Sequence, residues 1–192
     1  IVRVWINLCP VPGSKTALPS EQIALHGISW DNLGMTDEQI FGNLFETAAK
    51  SKDPRGIVSA CLVKDGEIIA SAASSDDGVR HAEDILLEIA HSKNIQISDE
   101  VILYSTLEPC TKRTNPALRD CTSLVIKSGI TKVIYGASDP DHSEIGKQRF
   151  RDAGVNLVQT TNPSIIKRCA EIFNDSVTEE HIGTDVKLKP TE

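Results

Sequence analysis

No stretch of this 192-residue chain holds the roughly 20 consecutive apolar residues that crossing a bilayer requires, so no membrane-spanning helix is expected. No charged-then-apolar leader opens it, so secretion is not indicated, and a start at Ile1 rather than Met leads us to expect a few native residues ahead of it. Aromatic residues make up only 4%, which leaves little for stacking on exposed bases. Positive charge is short as well: 20 Lys and Arg against 27 Asp and Glu give a net charge of −7. That balance disfavours broad binding to nucleic acid, which needs a basic face, though a local basic pocket for one phosphate remains open. Five cysteines, an odd number without secretory context, argue against a disulfide framework and for a reduced, cytoplasmic compartment. Internal repeats and low-complexity blocks are absent.

What is present is the composition of an ordinary globular protein, 40% hydrophobic and 24% charged, long enough for one domain with a full core. Residues 1–8, I-V-R-V-W-I-N-L, read as a strand, and 9–35 as a long loop, together an N-terminal extension. The extension suits a partner-binding arm, a dimer element or the remnant of a fused domain. Thr36 opens T-D-E-Q, a capping box, and Ile40, Leu44, Phe45 and Ala48 follow at helical spacing. Residues 57–63 and 67–73 read as a hairpin around Asp65-Gly66. Helices are expected near 81–93, 117–128, 144–153 and 163–175, the second stopped by Gly129 and the last opened by Pro163. Strands are expected at 101–106, 132–137 and 155–159. This order predicts an α/β protein: a three-layer α/β/α sandwich around a mixed five-stranded sheet, spanning 36–176 and followed by a polar tail, 177–192.

Chemistry concentrates in two places. His81-Ala82-Glu83 opens the helix near 81, and L-E-P-C-T-K-R-T-N-P-A-L-R-D-C, residues 107–121, follows the third strand. Cys110 and Cys121 are either two zinc ligands or two buried core thiols; His81 is either a third ligand or a surface imidazole capping a helix. One imidazole and two thiolates suit Zn²⁺ and leave a fourth position for water. Glu83, two residues beyond His81, points elsewhere and can face that water as a proton shuttle, or it is simply a first-turn acid favoured by the helix dipole.

H-A-E followed by E-P-C and a later Cys resembles the zinc-dependent cytidine-deaminase superfamily, whose nucleobase deaminases carry H-x-E…P-C-x-x-C. The resemblance covers about residues 36–160. It departs in one respect, since C-x-x-C would put the second sulfur at Arg113 and the next cysteine is Cys121. The longer loop, S-G-I at 128–130, K-V-I-Y at 132–135, Asp139-Pro140, Gly146 and D-A-G-V at 152–155 are similar to the riboflavin-pathway pyrimidine deaminases, namely the bacterial RibD deaminase domain and, through Cys110-x-x-Arg113, the fungal DRAP deaminase. The N-P motif of bacterial members is here Asp53-Pro54.

The resemblance implies a cytidine deaminase-like fold and a hydrolytic deaminase of a small pyrimidine. The specific expectation is deamination of 2,5-diamino-6-ribitylamino-4(3H)-pyrimidinone 5′-phosphate in riboflavin biosynthesis. It implies Zn²⁺ on His81, Cys110 and Cys121 and Glu83 as catalytic acid–base. Substrate contacts would come from Lys112, Arg113 and Thr114, on phosphate or base edge, and from Asp139 on the polyol chain; a homodimer is also implied. Each contact has a plainer reading as a solvated loop or turn residue. The rivals are a deaminase of nucleotides, tRNA or single-stranded DNA, and a non-catalytic scaffold subunit, though the latter should lack Glu83. Glu108 reads as a residue orienting a neighbour. Cys9, Cys61 and Cys169 read as core or incidental thiols, and His26, His91, His142 and His181 as surface residues, with His142 near the expected pocket rim.

Overall fold

A computed structural model describes residues 34–113, 117–139 and 143–178. The expected strand at 1–8, most of the extension to 35, Cys9, His26, Thr114, Pro140, His142, and the tail from 179 with His181 lie outside the described residues. Helix α1, Asp37–Ala48, begins where the capping box places it: Thr36 Oγ1 accepts the Gln39 N–H at 3.4 Å, and Gln39 Oε1 accepts the Thr36 N–H at 2.9 Å. Its buried stripe is Ile40, Phe41, Leu44 and Ala48; Phe41 takes the inward place expected of Phe45, which is only half-buried.

Strands β1 (Ser59–Lys64) and β2 (Glu67–Ala73) form the expected hairpin. Asp65 and Gly66 both take positive φ, 53° and 76°, which a two-residue turn of matching twist needs. The remaining elements are α2 (Ala82–Ser92), β3 (Ile102–Leu107), α3 (Cys121–Ser128), β4 (Lys132–Ala137), α4 (Ser143–Asp152), β5 (Asn156–Gln159) and α5 (Pro163–Ser176). Most boundaries fall within two residues of expectation. The exception is α3, expected from 117: it starts at Cys121, because Asp120 takes an extended conformation and its carboxylate accepts the Ser123 N–H at 2.8 Å. The cap overrides the apolar spacing, and Cys121 becomes the first residue of the helix.

The sheet order is β2-β1-β3-β4-β5, with β1 antiparallel to both neighbours and β3, β4 and β5 parallel. It is the mixed five-stranded sheet that the alternation of elements implied. Side chains alternate across it with the strand period of two. Ala60, Leu62, Leu103 and Val133 pack with Leu86 of α2, Val125 of α3 and Phe150 of α4. Cys61, Val63, Tyr104 and Ile134 pack on the other face with Phe41 of α1 and Ile165 and Cys169 of α5. Each fully buried Leu contributes on the order of 1.5–3 kcal/mol by leaving water. Gly136 of β4 lets α5 sit close: a Cβ there would stand 2.3 Å from the Cys169 Sγ and 2.9 Å from the Thr106 carbonyl oxygen. The three layers leave the C-terminal end of β3 and the N-termini of α2 and α3 at one edge.

Candidate metal and catalytic centre

His81 is the N-cap residue of α2, with extended backbone, and its side chain makes no capping hydrogen bond. The imidazole is therefore free of the helix end and turns toward Cys110 and Cys121. Its Nδ1 lies 3.5 Å from the Cys110 Sγ and 3.4 Å from the Cys121 Sγ. The donor atoms of all three residues fall within 4.8 Å of one another.

Although Cys110 and Cys121 are eleven positions apart, the start of α3 is stitched to the end of β3. The Thr122 N–H donates to the Cys110 carbonyl at 3.0 Å, the Thr122 hydroxyl donates to the Pro109 carbonyl at 3.0 Å, and the Cys121 N–H approaches the Cys110 sulfur at 3.5 Å. A first-turn N–H and the positive end of the helix thus face the sulfur. The Cys121 side chain hydrogen-bonds to Cys110 and, with His81 adding to its effect against the cost of burial, holds Cys110 down to about 4. The same hydrogen bond, with burial, pushes Cys121 well above the ordinary thiol range. For His81, burial is the largest single influence and pulls downward, but the hydrogen bond and charge of Cys110 outweigh it and the imidazole is raised overall.

The donor set fits one small divalent ion. Bonds of about 2.3 Å to sulfur and about 2.0–2.1 Å to nitrogen, at a tetrahedral angle, place a sulfur and a nitrogen about 3.6 Å apart. The observed 3.4 and 3.5 Å separations lie close to that value. Three protein donors leave one corner of a tetrahedron open.

Glu83, in the first turn of α2, is 2% exposed. Its Oε1 accepts a hydrogen bond from the Ser105 hydroxyl of β3 at 3.2 Å. Burial raises its pKa, and the charge of Cys110 adds to the rise. Ser105 was missed by sequence reasoning; the signal was a hydroxyl inside the apolar run V-I-L-Y-S-T.

The expected substrate residues divide. Arg113 is buried and Lys112 exposed. The Arg113 Nη2 stands 3.7 Å from Asp84 Oδ2, which Arg80 Nε already holds at 3.1 Å, while the Arg113 Nε and Nη1 are buried without hydrogen-bond partners. Its positive charge is felt by both His81 and Cys121. Asp139 lies two residues beyond β4, its N–H donating to Glu108 Oε2 at 3.1 Å. Glu108 is 1% exposed and ties the end of β3 to the segment after β4. Asp53 is buried and close enough to His81 for its carboxyl to feel the imidazole charge. Cys61 and Cys169 are core thiols, each pushed up to about 12 by burial, and His91 is exposed.

Residues 35–137, just over half of the chain, match the model of the cytidine and deoxycytidylate deaminase zinc-binding region. The chain belongs to that family. Among curated proteins it is 33% identical over 142 residues to the riboflavin biosynthesis protein RibD of Aquifex aeolicus, covering 72% of this chain and 38% of that protein. It is 37% identical over 127 residues to the diaminohydroxyphosphoribosylamino-pyrimidine deaminase of Schizosaccharomyces pombe, covering 65% of this chain and 29% of the relative. Among solved structures, the diaminohydroxyphosphoribosylaminopyrimidine deaminase/5-amino-6-(5-phosphoribosylamino)uracil reductase of Thermotoga maritima superposes with a TM-score of 0.57 at 28% identity, over 70% of this chain and 39% of that one. The chain therefore spans well under half the length of these relatives. Zinc is the metal for which this family's region is described, and His81, Cys110 and Cys121 are the cluster among the described residues able to hold it. No helix among the described residues is long and apolar enough to cross a membrane.

Proposed function

We propose that the chain is a zinc-dependent aminohydrolase that removes an exocyclic amine from a small pyrimidine, with residues 36–176 as the deaminase unit. The substrate class best supported is a diamino-pyrimidinone 5′-phosphate of riboflavin biosynthesis, because two of the relatives above carry diaminohydroxyphosphoribosylaminopyrimidine deaminase in their names; those names give the ribosylamino form, and the similarity of Cys110-x-x-Arg113 to the fungal deaminase favours the ribitylamino form. The observation that carries the reading is the convergence of three donor atoms within 4.8 Å beside the buried Glu83.

His81, Cys110 and Cys121 hold Zn²⁺ in this reading. Zn²⁺ in that seat lowers the pKa of a water molecule toward about 7. Glu83 works as a proton carrier at its carboxylate oxygens. It takes one proton from water, gives it to the ring nitrogen beside the amine-bearing carbon, and takes the second proton across to the departing amine. The water oxygen ends as the ring carbonyl and the amine leaves as ammonia, so atoms balance. Ser105 keeps the carboxylate aimed through its bond to Oε1. Burial keeps Glu83 out of bulk solvent and raises its pKa, which brings a carboxylate that takes a proton from water closer to the basicity needed to hold and return it.

Arg113 offers two unpaired buried donors to a phosphate or a base-edge oxygen. Lys112, exposed beside it, and Thr114 would extend that contact, and Asp139 would accept from the polyol chain.

The test is ammonia release by purified protein from the ribitylamino pyrimidine phosphate, its ribosylamino counterpart, cytidine nucleotides and single-stranded DNA. Turnover confined to the two pyrimidine phosphates supports the reading, and the one turned over faster decides between the ribitylamino and ribosylamino forms. Turnover confined to nucleotides or strands moves the substrate class, and no turnover of any pyrimidine supports a scaffold role.

A further inference from the structure

Helix α4 contributes no atom to the metal cluster, yet it lies against the segments that flank both cysteines. Gly146 faces the first: a Cβ there would stand 3.3 Å from the Thr111 methyl, 3.7 Å from Glu108 Oε1 and 4.0 Å from the Pro109 carbonyl. One turn on, Arg149 reaches both flanks at once. Its Nη1 donates to the Thr111 carbonyl at a long 3.5 Å and pairs with Asp120 Oδ1 at 3.1 Å, and its Nη2 donates to the Ser123 hydroxyl at 2.6 Å. Thr111 follows Cys110 in the chain and Asp120 precedes Cys121. Asp120 is also the N-cap of α3, so the same ion pair touches the group that decides where Cys121 enters the helix.

We infer that Arg149 is a positioning residue that fixes the separation of the Cys110 and Cys121 sulfurs from a third element, so that the pair is pre-set for one metal ion. The guanidinium can do this because its donors diverge in a rigid plane; a single ammonium cannot serve both flanks. This rests on the zinc reading of His81, Cys110 and Cys121. Groups that support metal ligands in this way typically change affinity by about 10- to 100-fold when removed.

The experiment is zinc affinity, by competition with a chromophoric chelator, at a temperature where circular dichroism shows every variant folded. Arg149→Ala should bind zinc at least about 10-fold more weakly than wild type, Arg149→Lys should fall between the two, and Arg151→Ala, on the same helix but bonded among the described residues to Gln148, should match wild type. Asp120→Asn keeps the α3 cap, since Asn caps as well as Asp, but removes the charge that Arg149 pairs with. It should also weaken binding, and Arg149→Ala should add little on top of it, as partners in one contact are not additive. If Arg149→Ala does not fold, Asp120→Asn alone decides. Wild-type affinity within twofold in Arg149→Ala and Asp120→Asn would overturn the inference. A wild type that takes up no zinc would instead overturn the metal reading beneath it.

Discussion

The imidazole Nδ1 of His81 stands 3.4 Å from the sulfur of Cys121, forty positions further along the chain. The contact joins two helix starts. His81 caps α2 without bonding to it, and Cys121 is the first residue of α3. Neither local context needs the other, and a shared ion, as proposed above, would supply the reason for the meeting.

One consequence concerns thiol reactivity. With Cys9 replaced by Ser, zinc-loaded native protein should resist a thiol-specific alkylating reagent at neutral pH, and a strong chelator should expose Cys110 and Cys121. Cys61 and Cys169 should stay unreactive in both states, because burial shields them and holds their thiols near 12. Peptide mapping after alkylation reads the result. Equal labelling with and without chelator would remove the metal from these sulfurs.

Glu83→Gln separates chemistry from metal binding. The amide keeps an oxygen for the Ser105 hydroxyl but cannot carry a proton. Turnover should fall by at least about 100-fold, within the range of general acid–base catalysis, with zinc content unchanged. Residual activity within a few-fold of wild type would assign the proton transfer elsewhere.

Arg113 tests the substrate side. Arg113→Ala should raise KM for a phosphorylated pyrimidine by about 10- to 100-fold, the worth of a hydrogen bond to a charged group, with a smaller change in kcat. The fold should hold, since Asp84 keeps its 3.1 Å pair with Arg80. Equal loss on phosphorylated and dephosphorylated substrates would place the guanidinium on the base instead of the phosphate.

Asp53 gives a pH signature in stability. Burial raises its carboxyl pKa in the folded protein. A raised folded value means that the native state binds the proton more tightly than the unfolded chain, so ionisation costs stability as pH rises past the unfolded value. Asp53→Asn keeps an oxygen for the Arg55 N–H, which now donates to Oδ1 at 2.9 Å, and removes that cost. In chelator, the Tm of the Asn variant and wild type should coincide below the ordinary carboxylate range, and the variant should gain on wild type as pH rises toward neutral. A gap that narrows or reverses with rising pH would show that the carboxylate is better accommodated folded than free.

Local signals carried most of the fold. The T-D-E-Q box, the Asp65-Gly66 turn and Pro163 each specify a backbone event within four residues, and each appears where it reads; the structure adds Asn162 as the cap ahead of Pro163. Helix α3, expected from 117, starts at Cys121 because the Asp120 carboxylate caps the helix there. His81, Glu83, Cys110 and Cys121 were legible because a resemblance supplied their pattern. Ser105 and Arg149 were not, because each acts on a residue brought near only by the fold: Ser105 through cross-sheet packing on α2, Arg149 through α4 lying on a loop that begins 39 positions upstream at Cys110. Lys112 and Arg113 are adjacent in sequence and opposite in exposure, a difference that tertiary packing sets and composition does not.

One imidazole and two sulfurs on a single ion, with one corner open, have a distinct spectroscopic signature. X-ray absorption at the zinc edge, on protein loaded with one equivalent, reads the donor atoms directly. The expected spectrum has two sulfurs at about 2.3 Å and two nitrogen or oxygen neighbours at about 2.0–2.1 Å, falling to one sulfur in Cys121→Ser. A shell of light atoms alone, or a sulfur count that Cys121→Ser leaves unchanged, would contradict it.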